Sequence, residues 1–212
     1  VKKIILILFL LLLNSHIYPQ FSGDSIKTKI HNPKNNWGLN LIYSDKGFGL
    51  SSVIFYPLGK FSYFSFSLGV SGVSDNREFE QYDIYGNSYV PDKEKRVFLI
   101  PLNIGVQYYI FKDEIEGNFK PMITGGLCPS LILTNPYDKG YFEAFKYFNA
   151  GFAFGPYVGI GLDYNESSSF GVSFEARFHY LPVLINEINS LRNKPIKDVG
   201  GFQLKFGVIF LK

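Results

Sequence analysis

Glu175, Arg177 and His179 occur at every second position of the stretch Phe170 to Tyr180, and the residues between them are aromatic or aliphatic. In an extended chain that spacing puts an acid, a guanidinium and an imidazole on one face. Gln203 and Lys205 share the same spacing in a second alternating stretch near the C-terminus. If the two stretches are neighbours, five polar side chains converge. One chemistry that suits such a set is a gated polar path or a binding site. The other is an ionic network filling a narrow interior, because charges withdrawn from water must pair. The burial argument favours the network.

Hydrolysis would need a nucleophile, a histidine and an acid that meet. Beyond the first twenty residues the chain holds only His31 and His179. Glu175 lies four positions before His179, about 13 Å along a strand, too far for a direct pair. No phosphate loop, dinucleotide fingerprint, zinc spacing or calcium loop appears. The single cysteine, Cys128, makes no metal constellation and reads as a small interior residue. Neither an enzyme nor a cofactor is expected.

The elements that must position these residues are strands. Phe170 to Tyr180 holds a period of two over eleven residues, a strand signal and not a helical one. Eight such stretches can be drawn: Trp37 to Tyr43, Gly47 to Pro57, Phe61 to Ser74, Val97 to Phe111, Phe119 to Leu133, Asn149 to Tyr164, Phe170 to Leu181 and Gly201 to Leu211. The second is less regular, a pattern compatible with a bulge. In the sixth, Gly151, Ala153, Gly155, Tyr157, Gly159 and Gly161 form a mostly small face. Connections after the second, fourth and sixth are short; those after the third, fifth and seventh are long. Tyr85-Gly86-Asn87 and Asn135-Pro136-Tyr137 read as loop material, and the charged run Asp75 to Arg96 as either a loop that binds a partner outside the cell or a solvated loop, of which the solvated loop is favoured.

Alternation alone does not say which face is inward. A soluble lipocalin-like carrier would turn its apolar faces in around a ligand. Charge placement separates the cases. Of 21 Lys and Arg and 18 Asp and Glu, only Lys120, Asp163, Glu175, Arg177 and Lys205 fall within the eight stretches. A water-facing outer wall would carry many more. The aromatic faces, holding Phe174 and Phe178, are therefore expected to face lipid, with Glu175 and Arg177 inside. The fold class expected is all-β, an eight-stranded antiparallel up-and-down transmembrane β-barrel over 37–212. Lys2, Lys3 and the apolar run Ile4 to Leu13 read as a secretion signal over 1–20, because ten apolar residues are too few for a spanning helix. Residues 21–36 read as a flexible periplasmic leader. The net charge of +3 comes without a basic run, so nucleic acid is not an expected partner.

The Lys-Lys signal, Gly-Pro-Tyr-Val-Gly-Ile-Gly-Leu-Asp at 155–163 and Gly-Gly-Phe-Gln-Leu-Lys-Phe-Gly-Val-Ile-Phe at 200–210 carry a resemblance. From Trp37 to Lys212 the chain resembles the small outer-membrane β-barrel proteins of Gram-negative bacteria, in the porin-like group. It is similar to the OmpA-type transmembrane barrel and to PorT-like barrels of the Bacteroidetes–Ignavibacteria kind. The resemblance implies a place in the bacterial outer membrane. It implies a non-enzymatic structural, adhesion or envelope-complex role, or that of an accessory component in protein secretion. Outer-membrane lipid, envelope proteins and, during biogenesis, the barrel-assembly machinery are the partners implied. Phe206 and Phe210 would then belong to the C-terminal assembly signal, although Leu211 and Lys212 follow the second of them.

Overall fold

The computed structural model describes residues 35–75, 77–111, 118–165, 169–186 and 188–211. The expected signal, nearly all of the leader, His31 and residues 112–117 and 166–168, where short connections are expected, lie outside them. Eight long strands are present: β1 (Asn36–Ser44), β2 (Gly47–Pro57), β3 (Ser62–Val73), β4 (Lys95–Tyr109), β5 (Phe119–Pro136), β6 (Asn149–Tyr164), β7 (Phe170–His179) and β8 (Gly201–Phe210). Each pairs with the next along the chain, and β8 pairs back onto β1, so the sheet closes. All these pairings are antiparallel. Closure leaves no open edge among the long strands, the condition for crossing a bilayer with strands.

The alternation resolves into an outer wall and a lumen. On β7, Phe174 is 41% exposed and Phe178 56%, whereas Glu175 is 5% and Arg177 3%. The same inversion holds on β8, where Phe206 is 51% exposed and Lys205 3%. The aromatic faces point outward, which overturns the soluble-carrier alternative. That alternative needs them turned in around a ligand.

Several expectations require correction. β2 carries no bulge: its pairing runs without a break from Asn36↔Phe55 to Ser44↔Gly47 and from Gly49↔Ser71 to Pro57↔Tyr63. It reads irregularly because Val53 and Phe55 are apolar yet face inward. Asn135 and Pro136 are not loop material; they extend β5 by pairing with Arg96 and Lys95. The connection from β7 to β8 is not a plain loop. Val183–Ile185 pairs with β6, and Ile188–Leu191 forms a hairpin with Lys194–Ile196.

That last connection closes one end of the barrel. Its Leu181, Ile188, Ile196 and Val199 pack with Val73, Val97, Leu99, Cys128 and Ile132 in one apolar layer. Each aliphatic side chain so removed from water contributes about 1.5–3 kcal/mol. At the opposite end a smaller layer forms from Val53, Phe55 and Ile209, with Tyr63 and Leu211 against it.

Candidate functional site: the lumen charge cluster and the loop cap

Pairing register brings the five sequence-predicted polar residues together. Lys205 stands opposite Glu175, and Gln203 opposite Arg177, across the β7–β8 ladder. On the other side of β7, Gly161 faces Glu175, Gly159 faces Arg177 and Tyr157 faces His179. The alternating glycines of β6 thus leave room for the two largest charged side chains of β7. A Cβ on Gly159 would stand 2.7 Å from Arg177 Cγ and 2.8 Å from Thr124 Oγ1.

Within the cluster, Arg177 Nε donates to Glu175 Oε1 in a short buried ion pair. Thr124 Oγ1 donates to the same carboxylate oxygen at 2.5 Å. The Arg177 guanidinium lies over the Tyr157 ring, 4.6 Å from its centroid. Tyr157 in turn stacks on His179 at 5.3 Å, and His179 Nε2 lies 2.9 Å from Asn103 Oδ1. Lys205 is buried beside this group. Glu175 is thus bonded to Arg177 and stands opposite Lys205, and its charge offsets the repulsion between the two buried bases in a medium poorer than water.

A second acid lies nearer the other apolar layer. Asp163 accepts from Tyr109 Oη at 2.5 Å and from Gln107 Nε2 at 3.2 Å. A small cavity of about 40 Å³ adjoins it, lined in part by Asn36, Tyr63, Lys120 and Asn165. Sequence reading did not single out Thr124, Asn103, Tyr157, Tyr109 or Gln107. The available signal was the glycine alternation of β6, which marks where a neighbouring strand carries bulk.

His179 is 1% exposed and faces the lumen. It is not at the outer surface, where a lipid substrate would lie. Among the described residues, no three His, Cys, Asp or Glu side chains are grouped to hold a metal ion.

The long connections do not hang free. Glu78 accepts from Lys93 Nζ at 2.6 Å and from Ser190 Oγ through a short hydrogen bond. Arg77 grips Asp75 through two bonds of 2.8 and 2.5 Å and reaches the carbonyls of Lys194 and Pro195. Backbone bonds join Glu94 to Ser190, Arg192 to Asp92 and Tyr137 to Glu94. Lys46 of the β1–β2 turn donates to the Asp198 carbonyl at 2.6 Å. The expectation of a solvated loop at 75–96 is thus corrected for its base, which is woven into a cap over the long-loop end. The hydrogen bond from Arg77 holds the Asp75 carboxyl below its ordinary range.

A closed eight-stranded antiparallel wall with apolar side chains outside, polar and small ones inside, and loops of unequal length at its two ends is the architecture of the small outer-membrane β-barrels. The chain has that fold. Solved structures of the class resemble it. Neisserial surface protein A (NspA) superposes with a TM-score of 0.54 at 13% identity, covering 84% of this chain and 94% of that one. The outer membrane protein OprG from Pseudomonas aeruginosa gives 0.50 at 12%, covering 84% and 95%. The N-terminal β-barrel domain of Pseudomonas aeruginosa OprF gives 0.49 at 13%, covering 83% and 95%. The likeness is one of fold. Compared with protein-family models and with curated proteins, the chain matches none.

Proposed function

We propose that the protein is a non-enzymatic barrel of the bacterial outer membrane whose role is structural or adhesive, or lies within an envelope complex, and is exercised through its loop cap. The observation that carries this reading is the filled lumen. The ion cluster of Glu175, Arg177 and Lys205 lies between two apolar layers. An eight-stranded barrel has an interior just wide enough for side chains to fill, which disfavours a general porin. His179 is committed to Asn103 and Tyr157 inside the wall, away from any lipid ester. The lumen cluster is then a stabilising network, and the five residues Glu175, Arg177, His179, Gln203 and Lys205 act on the fold and not on a substrate. Phe206 and Phe210 retain their proposed part in recognition by the assembly machinery.

The test combines fractionation with conductance. The full chain should appear in the outer-membrane fraction and migrate differently on gels before and after heating. Reconstituted in planar bilayers, it should show no sustained ion conductance. Steady channels, or release of acyl chains from lipid by the purified barrel, would sink the reading.

A further inference from the structure

Above the woven base of the β3–β4 connection, every residue from Phe79 to Tyr89 is exposed. Five of them are large and apolar or aromatic: Phe79 at 58%, Tyr82 at 71%, Ile84 at 92%, Tyr85 at 82% and Tyr89 at 46% exposure. This lies on a loop, outside the apolar wall of the barrel. Exposed apolar groups gathered on one element mark an interaction site more often than isolated ones do.

The element is also preformed. Gln81 pairs with Tyr89 and Tyr82 with Ser88, and Tyr89 Oη donates to Gln81 Oε1 at 3.0 Å. Asp83 organises the turn, accepting from the backbone of Tyr85 at 2.8 Å and of Asn87 at 2.9 Å and from the Asn87 side chain at 3.0 Å. Gly86 adopts φ +82°, a left-handed conformation that turns the chain back. Below, Glu78 ties the hairpin to Lys93 and Ser190. Little ordering is left for a partner to impose, so binding loses less entropy. Tyrosine, serine, glycine and asparagine on a stiff hairpin are also the composition of protein-binding loops.

Charge selects the partner. Between Arg77 and Lys93 the chain holds Glu78, Glu80, Asp83 and Asp92 and no base. Glu78 is spent on Lys93, while Glu80 is exposed. The Asn87 hydrogen bond holds the Asp83 carboxyl below its ordinary range, so it stays charged. Such a hairpin is repelled by an anionic lipid surface. It is complementary to a protein cleft that is apolar within and basic at its rim.

We infer that the hairpin Phe79–Tyr89 docks into an apolar, basic-rimmed cleft of a protein partner, with Ile84 and Tyr85 as its leading anchors. The inference rests on the reading of the chain as an outer-membrane barrel acting through its cap, and it names the chemistry of the partner.

The experiment uses the full chain carrying Ser88→Cys, an exposed position of the hairpin outside the anchors, labelled on intact cells with a thiol-reactive benzophenone. The other cysteine, Cys128, is buried. Irradiation should yield one discrete protein adduct. The purified adduct partner should then bind the unlabelled barrel in micelles, more weakly as sodium chloride rises. Ile84→Ala with Tyr85→Ala should weaken that binding about tenfold or more, as loss of central anchors does. Glu80→Lys should weaken it and flatten the salt dependence. Adducts to lipid alone, no adduct, or binding indifferent to these variants overturns the inference if the barrel is in the outer-membrane fraction, and leaves the broader reading standing. Absence of the chain from that fraction overturns the broader reading instead.

Discussion

Gly159 faces Arg177 across the β6–β7 ladder, and the side chain of Arg177 occupies the space a Cβ at 159 would need. The Ala176 carbonyl, 2.8 Å from the same point, prevents relief by a simple rotamer change. Gly159→Ala should therefore destabilise the barrel by about 1–3 kcal/mol, the usual cost of overpacking. Gly140 offers the control, because a Cβ there meets nothing. Gly140→Ala should stay within about 0.5 kcal/mol of the parent. Urea titration of the barrel in lipid vesicles, read by heat-dependent gel mobility, compares the two. Equal stability of both variants would refute the packing argument.

Glu175 is ion-paired to Arg177 and stands opposite Lys205, so the acid and the guanidinium are not equivalent. Removing the acid by Glu175→Gln leaves two buried cations side by side and should cost about 3–5 kcal/mol. Arg177→Met leaves Glu175 with Lys205 opposite and should cost clearly less. Neither variant should open a conducting path. An inverted order of the two stabilities would show that Lys205 does not share the carboxylate.

The cap carries a pH signature at Asp75. Its carboxyl is held below the ordinary range by the Arg77 hydrogen bond. A depressed folded-state pKa means that this contribution is complete above the unfolded value of about 3.9 and is lost as pH falls from there through the folded value. Carbon-13 titration of the side chain should place its midpoint below the usual carboxylate range. In Arg77→Ala the midpoint should rise. An unchanged midpoint in that variant would assign the depression to some other group.

Trp37 is the sole tryptophan and lies on the outer face of β1, 40% exposed and stacked on Phe210 at 4.2 Å. This contact sits on the seam where β8 closes onto β1. Indole favours the membrane interface, so Trp37 emission should shift to the blue on insertion. Lipids brominated near the headgroup end of the chain should quench it, and iodide in water should not. Phe210→Ala should slow the appearance of the heat-modifiable form while leaving the final emission blue. Emission quenched freely by iodide in the inserted state would place the β1 outer face in water.

Much of the barrel was legible because a period of two is a local property. Phe170 to Tyr180 declares its two faces without reference to any other strand. The scarcity of charge along the strands was enough to turn Phe174 outward and Glu175 inward, since charges tolerate neither lipid nor an unpaired interior. β2 was harder to read for the same local reason, because Val53 and Phe55 place apolar side chains on the inner face too.

What the sequence determined by itself is the set of strands, their two faces and the inward direction of Glu175, Arg177, His179, Gln203 and Lys205. Which side chains meet inside was decided by register, a relation between residues far apart in the chain. Only pairing puts Thr124 on Glu175, Tyr157 under Arg177 and Asn103 on His179. The same holds at the long-loop end, where Ile188, Ile196 and Val199 read as loop residues and became, with Leu181 at the end of the seventh stretch, the apolar closure of the barrel. The hydrophobicity of Ile188, Ile196 and Val199 has no periodicity of its own. It acquires meaning only when the surrounding strands present a matching apolar layer.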